Sequence, residues 1–77
     1  MNKSTLRAIL SLSREFRIPL LLRIAGIRQA DVAKNLGVTQ PTVNRVLHGK
    51  ATSKKVTAEI ENVLAARLGV LPEDLWR

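Results

Sequence analysis

The stretch Gln29–Leu47, QADVAKNLGVTQPTVNRVL, decides the fold of this chain. Apolar residues recur at helical spacing on both sides of Gly37, a residue suited to the left-handed end of a helix. Thr39 is a good N-cap, and Pro41 is tolerated in a first helical turn. The stretch therefore predicts two helices joined by the three-residue connector 37–39: the first is Gln29–Leu36, and the second runs from Gln40 to Leu47 or His48. That connector has the length expected of a helix-turn-helix.

The two predicted helices form a corner with an inner and an outer face. The inner face fills the space between them with valines, one leucine and two small residues: Val32, Ala33, Leu36, Gly37, Val38, Val43 and Val46. The outer face of the second helix carries four polar side chains: Gln40, Thr42, Asn44 and Arg45. Gln pairs bidentately with adenine and Arg with guanine in the major groove, so this face has the chemistry of a base reader.

Two helices are predicted before the corner. Residues 4–16 form an amphipathic pattern that Ser4 or Thr5 caps, with one packing stripe: Leu6, Ile9, Leu10 and Phe16. Pro19 disfavours helix in the residue before it and suits a first turn, which places a helix boundary near Ile18. The second helix then runs from there to Gly26.

After the corner, Ser53 caps a longer amphipathic helix, Lys54–Leu68, and Pro72 opens a short final helix. No strand pattern occurs. The sequence thus predicts an all-α fold, a compact bundle of five or six short helices. We expect residues 1–17 to be an N-terminal helical extension and residues 18–77 to be the helix-turn-helix domain.

Charge and composition narrow the classes of function. The chain has 77 residues, which suits one domain, and no cysteine, so disulfides and thiolate metal sites are excluded. Its net charge is +7, and residues 1–58 alone carry +9. A basic domain of this kind attracts polyanions such as nucleic acid. The apolar run Ile18–Leu22 is far too short to span a membrane.

The segment IRQADVAKNLGVTQPTVNRVLHGK, Ile27–Lys50, resembles the lambda-repressor/Cro-like helix-turn-helix family of phage and bacterial regulators. The resemblance extends more loosely to LGVLPEDLW near the C-terminus. It implies that the second helix of the corner enters the major groove, with Gln40 and Arg45 as the main base-reading residues. Pro41 stands where a polar residue is more usual in the family.

A second group of residues flanks the reading helix and suits phosphate contacts. The group is Arg28, Gln29, Thr39, Lys50, Lys54 and Lys55. By resemblance, Gln29 holds a phosphate at the start of the first corner helix. Lysines beside the reading helix supply affinity but little choice of sequence.

These features predict a sequence-specific regulator that binds double-stranded DNA, a phage- or prophage-type repressor acting by promoter occlusion in a bacterial cytoplasm. We expect a homodimer, because one short helix contacts few bases. The first candidate interface is the C-terminal end with Leu71, Leu75 and Trp76, and the second is the N-terminal helix. No catalytic arrangement is apparent, and no cofactor, metal, membrane or small-molecule effector is expected.

Two other functions remain open from the sequence. The first is an architectural, transposition or replication accessory factor that binds DNA with the same fold. The second is a protein-interaction module built on the same corner, which should lack the salt-dependent affinity for DNA that phosphate contacts produce.

Overall fold

A computed structural model describes residues 2–76, which form six α-helices and no strand. The helices are α1 Lys3–Leu10, α2 Arg14–Ile24, α3 Gln29–Leu36, α4 Gln40–Leu47, α5 Lys54–Leu68 and α6 Pro72–Leu75. The predicted all-α bundle is confirmed, and the bounds of α3, α4 and α5 are those predicted from the sequence. Among residues 2–76, no helix combines the length and the hydrophobicity needed to cross a bilayer.

All six helices contribute to a single apolar core. α3 packs on α4 and α5, whereas α2 contacts α1, α4 and α6. The core side chains, from α1 to α6, include Ile9, Ile18, Leu21, Leu22, Val32, Val43, Leu47, Ile60, Leu64 and Leu75. Ile9 joins this core, so α1 packs against the same interior as the corner.

The predicted continuous helix over residues 4–16 is wrong. α1 ends at Leu10, and α2 begins at Arg14 after a short break. Asn2, rather than Ser4 or Thr5, caps α1, because its Oδ1 accepts from the backbone N–H of Thr5 at 2.7 Å. The sequence pattern missed this break because both segments are apolar at helical spacing.

The break changes the position of Phe16. Phe16 was predicted to pack on the α1 stripe, but it belongs to α2 and is 63% exposed. A new helix has its own rotational setting, so the spacing counted through the break did not apply.

The predicted helix boundary at Pro19 is also wrong. Pro19 is the sixth residue of α2, past the first turn. A proline there removes one backbone hydrogen bond and clashes with the carbonyl four residues earlier, which costs about 3 kcal/mol. The helix continues because Ile18, Leu21 and Leu22 on either side of it are buried in the core. Tertiary burial therefore outweighs the local proline signal.

Arg17 is the one charged residue among residues 2–76 that is buried, with 4% of its surface exposed. Its Nη1 donates to the carbonyls of Leu10 and Leu12, each at 3.2 Å, and its Nη2 donates to the carbonyl of Leu75 at 2.6 Å. The first two carbonyls lie where α1 has ended and no helical donor follows. Arg17 therefore ties the α1–α2 break to α6.

Candidate nucleic-acid interface

The corner between α3 and α4 is held by one glycine and one threonine. Gly37 takes the left-handed conformation, with φ 68° and ψ 31°, which lets Val38 N–H donate to the Ala33 carbonyl at 3.0 Å. Thr39 Oγ1 then accepts from the Thr42 N–H at 3.4 Å and caps α4. The three-residue connector 37–39 thus joins the two helices with a hydrogen bond at the end of α3 and another at the start of α4.

Six of the seven inner-face residues pack in or against the core, whereas Gly37 is exposed in the turn. Val32, Ala33, Val43 and Val46 are buried, while Leu36 and Val38 are half-buried against the core. Val43 and its neighbour Leu47 have no exposed surface. This packing fixes α4 by one side and leaves its other side facing outward.

The outer face of α4 presents Gln40, Asn44 and Arg45 to solvent. With Gln29 and Pro41 they line one open depression. Amide and guanidinium groups grouped on one exposed face of a short helix match the donors and acceptors that base edges present in the major groove.

Thr42 lies differently from the other three candidate base readers. It is half-buried, and its hydroxyl lies 2.8 Å from the Thr39 hydroxyl. Its side chain therefore turns back to the start of α4, and its first contact is with the cap of the helix.

Asn44 connects the two helices of the corner through its side chain. Its Nδ2 donates to Gln29 Oε1 at 3.4 Å. The Gln29 amide nitrogen is left to donate elsewhere, at the N-terminal end of α3, where the helix dipole favours an anion. Neither the spacing nor the residue types had indicated this link, because it joins residues 15 positions apart.

The candidate phosphate contacts fall into two groups beside α4. Arg28 is at the start of α3, and its Nε contacts Asp31 Oδ2 at 3.2 Å, an exposed ion pair of small energetic value. Lys50, Lys54 and Lys55 are exposed in the loop after α4 and in the first turn of α5.

The lysines at the start of α5 lie in an unfavourable place for the isolated protein. No acidic residue is present in that first turn. Cations near a helix N-terminus oppose the dipole by roughly 0.3–1 kcal/mol each. A bound polyanion would offset this repulsion, which is the electrostatic arrangement of a surface facing phosphates.

One further cation was absent from the sequence-based set. Arg23, at the end of α2, lines a depression together with Arg28, Gln29, Gln40 and Asn44. It was overlooked because the sequence analysis assigned no role to the helix that ends near Gly26.

The C-terminal residues considered for an interface separate into three environments. Leu75 has no exposed surface and lies in the core, whereas Leu71 is 55% exposed. Trp76 is half-buried: its Nε1 donates to Glu61 Oε1 at 2.9 Å, and the guanidinium carbon of Arg14 lies 5.6 Å from its ring centroid. Only Leu71 offers a largely free apolar side chain to a partner.

A known family model matches most of the chain. The model of the family described as Helix-turn-helix (HTH_3) matches residues 20–71, which include the last turns of α2, the whole corner and α5. No curated protein and no solved structure matches the chain.

Proposed function

The chain belongs to the helix-turn-helix family of lambda-repressor/Cro-like DNA-binding domains, and on that basis we propose that it is a sequence-specific transcriptional regulator. The observation that carries the proposal is the outer face of α4, where Gln40, Asn44 and Arg45 are exposed and where Arg23 and Arg28 line a depression shared with Gln40 and Asn44. A helix that packs on the core with one side and exposes polar side chains on the other is suited to lie in the major groove.

In this proposal α4 reads bases. Gln40 pairs with adenine and Arg45 with guanine, each pair contributing about 1–3 kcal/mol of discrimination. Asn44 contacts a base beside them and is held in place by Gln29. Thr42 reaches a base only by releasing or sharing its hydroxyl contact with Thr39, so its contribution is the smallest of the four.

The phosphates are held by residues on both sides of α4. One group, at the starts of α3 and α4, is Arg28, Gln29 and Thr39. The other group, after the end of α4, is Lys50, Lys54 and Lys55. Such contacts provide affinity and register on the duplex but carry no sequence information.

Regulation follows from occupation of a promoter by the bound protein. A single α4 of eight residues reaches few base pairs, and we propose that two copies bind half-sites about 34–36 Å apart. A protein bound there blocks polymerase by its volume. We propose a phage- or prophage-type repressor in a bacterial cytoplasm, with no enzymatic step and no small-molecule effector.

Selection of bound sequences from a random pool of duplex DNA tests this function. We expect enrichment of a pseudo-palindromic site in which an adenine and a guanine in each half are strongly preferred. The affinity for that site should fall with added salt, with a log–log slope of about 0.9 for each phosphate contacted. A pool that shows no enrichment, with an affinity for DNA insensitive to salt, contradicts the proposal and favours a protein-interaction module.

A further inference from the structure

The outer face of α2 is apolar, although it is exposed. The helix buries Ile18, Leu21 and Leu22 on its inner side. On the opposite side it carries a stripe of large apolar residues, together with one residue from the break before it; this α2 outer face consists of Leu12, Phe16, Leu20 and Ile24. Of these, Phe16 is the most exposed, at 63%.

A helix that is apolar on both sides is expected to be buried on both sides. Single exposed apolar residues are ordinary, but a continuous stripe over three turns of one helix marks an interaction surface. Leu12, Phe16 and Leu20 also line one groove together with Glu15, Pro19 and Arg23. The α2 outer face is therefore a surface shaped for a partner.

We propose that the partner is a second copy of this chain, whose α2 packs antiparallel against the first. The requirement for a second copy rests on the proposed function, whereas the choice of surface rests on the face itself. In a two-fold symmetric contact the same patch must complement itself. This patch meets that condition in both its apolar and its charged residues.

The apolar residues complement one another around Leu20. An antiparallel pair of α2 helices centred on Leu20 places Phe16 of one copy opposite Ile24 of the other, since each lies four residues from the centre. The Phe16–Ile24 contact is thus formed twice, once on each side of the symmetry axis.

The charged residues complement one another in nearly the same register: Glu15 lies five residues and Arg23 three residues from Leu20, an axial offset of about 3 Å. Glu15 and Arg23 lie about 12 Å apart along α2, too far to pair within one chain. Among residues 2–76, the ion pair formed at the surface is instead Arg28–Asp31. Antiparallel packing brings Glu15 of each copy beside Arg23 of the other. For a chain of net charge +7, which repels itself over most of its surface, this patch combines apolar contact with balanced charge.

The C-terminal end is a weaker candidate for the same role. Leu75 is committed to the core, and Trp76 is engaged by Arg14 and Glu61. Leu71 remains as a single exposed leucine. It provides a matched control, because its exposure of 55% is close to that of Phe16.

The test is the oligomeric mass of the full chain without DNA, measured by sedimentation from about 1 µM to 1 mM, a range chosen for a small interface. We expect the mass to rise from one chain to two. Phe16→Ser should raise the dissociation constant about tenfold or more, as truncation of a central aromatic anchor does. Leu71→Ser should leave it within about twofold. Thermal melts of both variants verify that they fold.

Charge exchange provides the second arm of the test. Glu15→Arg alone and Arg23→Glu alone should each weaken association, because like charges then face each other across the axis. The double variant Glu15→Arg/Arg23→Glu should restore the dissociation constant to within about threefold of that of the original chain. A difference of this size corresponds to the small energy of one exposed ion pair. Restoration is expected only if the two positions meet between copies.

A mass of one chain over the whole range overturns the proposal. It is also overturned if Leu71→Ser dissociates the dimer while Phe16→Ser does not, or if the double exchange fails to restore association. Because DNA is absent from these measurements, they are independent of the random-pool selection. A dimer that selects no DNA sequence refutes the proposed function alone, and a chain that selects a site but stays monomeric refutes this inference alone.

Discussion

The corner of α3 and α4 and the preceding helix α2 follow the sequence in different ways. In the corner, Gly37, Thr39 and the apolar spacing all indicate the same boundaries, and the structure has those boundaries. In α2, Pro19 indicates a boundary that the packing does not respect. Local signals determine structure where they agree with burial, and burial prevails where they disagree.

The difference also concerns what each region presents outward. The free side of α4 is polar, which suits a ligand that offers hydrogen-bonding groups. The free side of α2 is apolar, which suits a protein surface. The molecule therefore has two outward faces of opposite chemistry, and substitutions in the two regions should have separable effects.

The largest expected effect is the loss of Arg17, which ties α2 to both ends of the chain. Arg17→Ala leaves the carbonyls of Leu10, Leu12 and Leu75 without their donor. We expect the free energy of unfolding to fall by about 3–5 kcal/mol, because three carbonyls lose their donor and each buried polar group left unsatisfied costs about 1–3 kcal/mol. Urea denaturation measures it. A loss below about 1 kcal/mol would show that water replaces the guanidinium at no great expense.

The two sides of α2 can be compared by the same truncation. Leu21→Ala, on the inner side where no surface is exposed, should cost about 3 kcal/mol by leaving a cavity. Leu20→Ala, on the outer side, should cost about 1 kcal/mol or less in dilute solution. Both are measured by urea denaturation at one low concentration. Equal losses would mean that the outer side is packed within the single chain, against the two-faced description of α2.

The two prolines separate the regions most directly. Pro19→Ala should stabilise the protein by about 1–2 kcal/mol, since it restores a helical hydrogen bond but makes the unfolded chain more flexible. Pro41→Ala should instead destabilise the protein by about 0.4–1 kcal/mol. The new N–H lies in the first turn and gains no helical partner, while the unfolded chain becomes more flexible. Melting temperatures of both variants test this. A stabilising Pro41→Ala together with a neutral Pro19→Ala would reverse the comparison.

The smallest expected effect concerns the cap of α4. Thr39→Ala removes the acceptor for the Thr42 N–H and should cost about 1 kcal/mol. For a domain of this size that lowers the melting temperature by about 4–8 °C. Thr39→Ser keeps the hydroxyl and serves as the control; a loss as large as that of the alanine variant would assign the effect to the methyl group.

Most of the fold was available from the sequence because the corner and α5 carry their own start and stop signals, and Pro72 marks the start of α6. Ser53, for example, was predicted to cap α5, and its hydroxyl accepts from Val56 N–H at 3.2 Å. The break at 11–13 was not available, because it is stabilised by Arg17 acting from the next helix. Hydrogen bonds from one side chain to carbonyls five and seven residues earlier leave no periodic pattern in the sequence.

The residues of the candidate interface were predicted by type, whereas their geometry was not. Helical spacing placed Gln40, Asn44 and Arg45 on one face, and all three are exposed there. The Gln29–Asn44 contact and the position of Arg23 depend on how α2, α3 and α4 pack together. These are tertiary relations, which residue type and spacing do not encode.

The most direct test of the central proposal, that the outer face of α4 reads bases, is a comparison of two variants on the selected DNA site and its single-base changes. Arg45→Ala should lose about 1–3 kcal/mol of discrimination at one base pair and keep its preferences elsewhere. Lys54→Ala should weaken binding to all sequences evenly and reduce the salt slope by about one unit. If Arg45→Ala weakened every sequence equally, Arg45 would be a phosphate contact, and the proposal that this face reads bases would be contradicted.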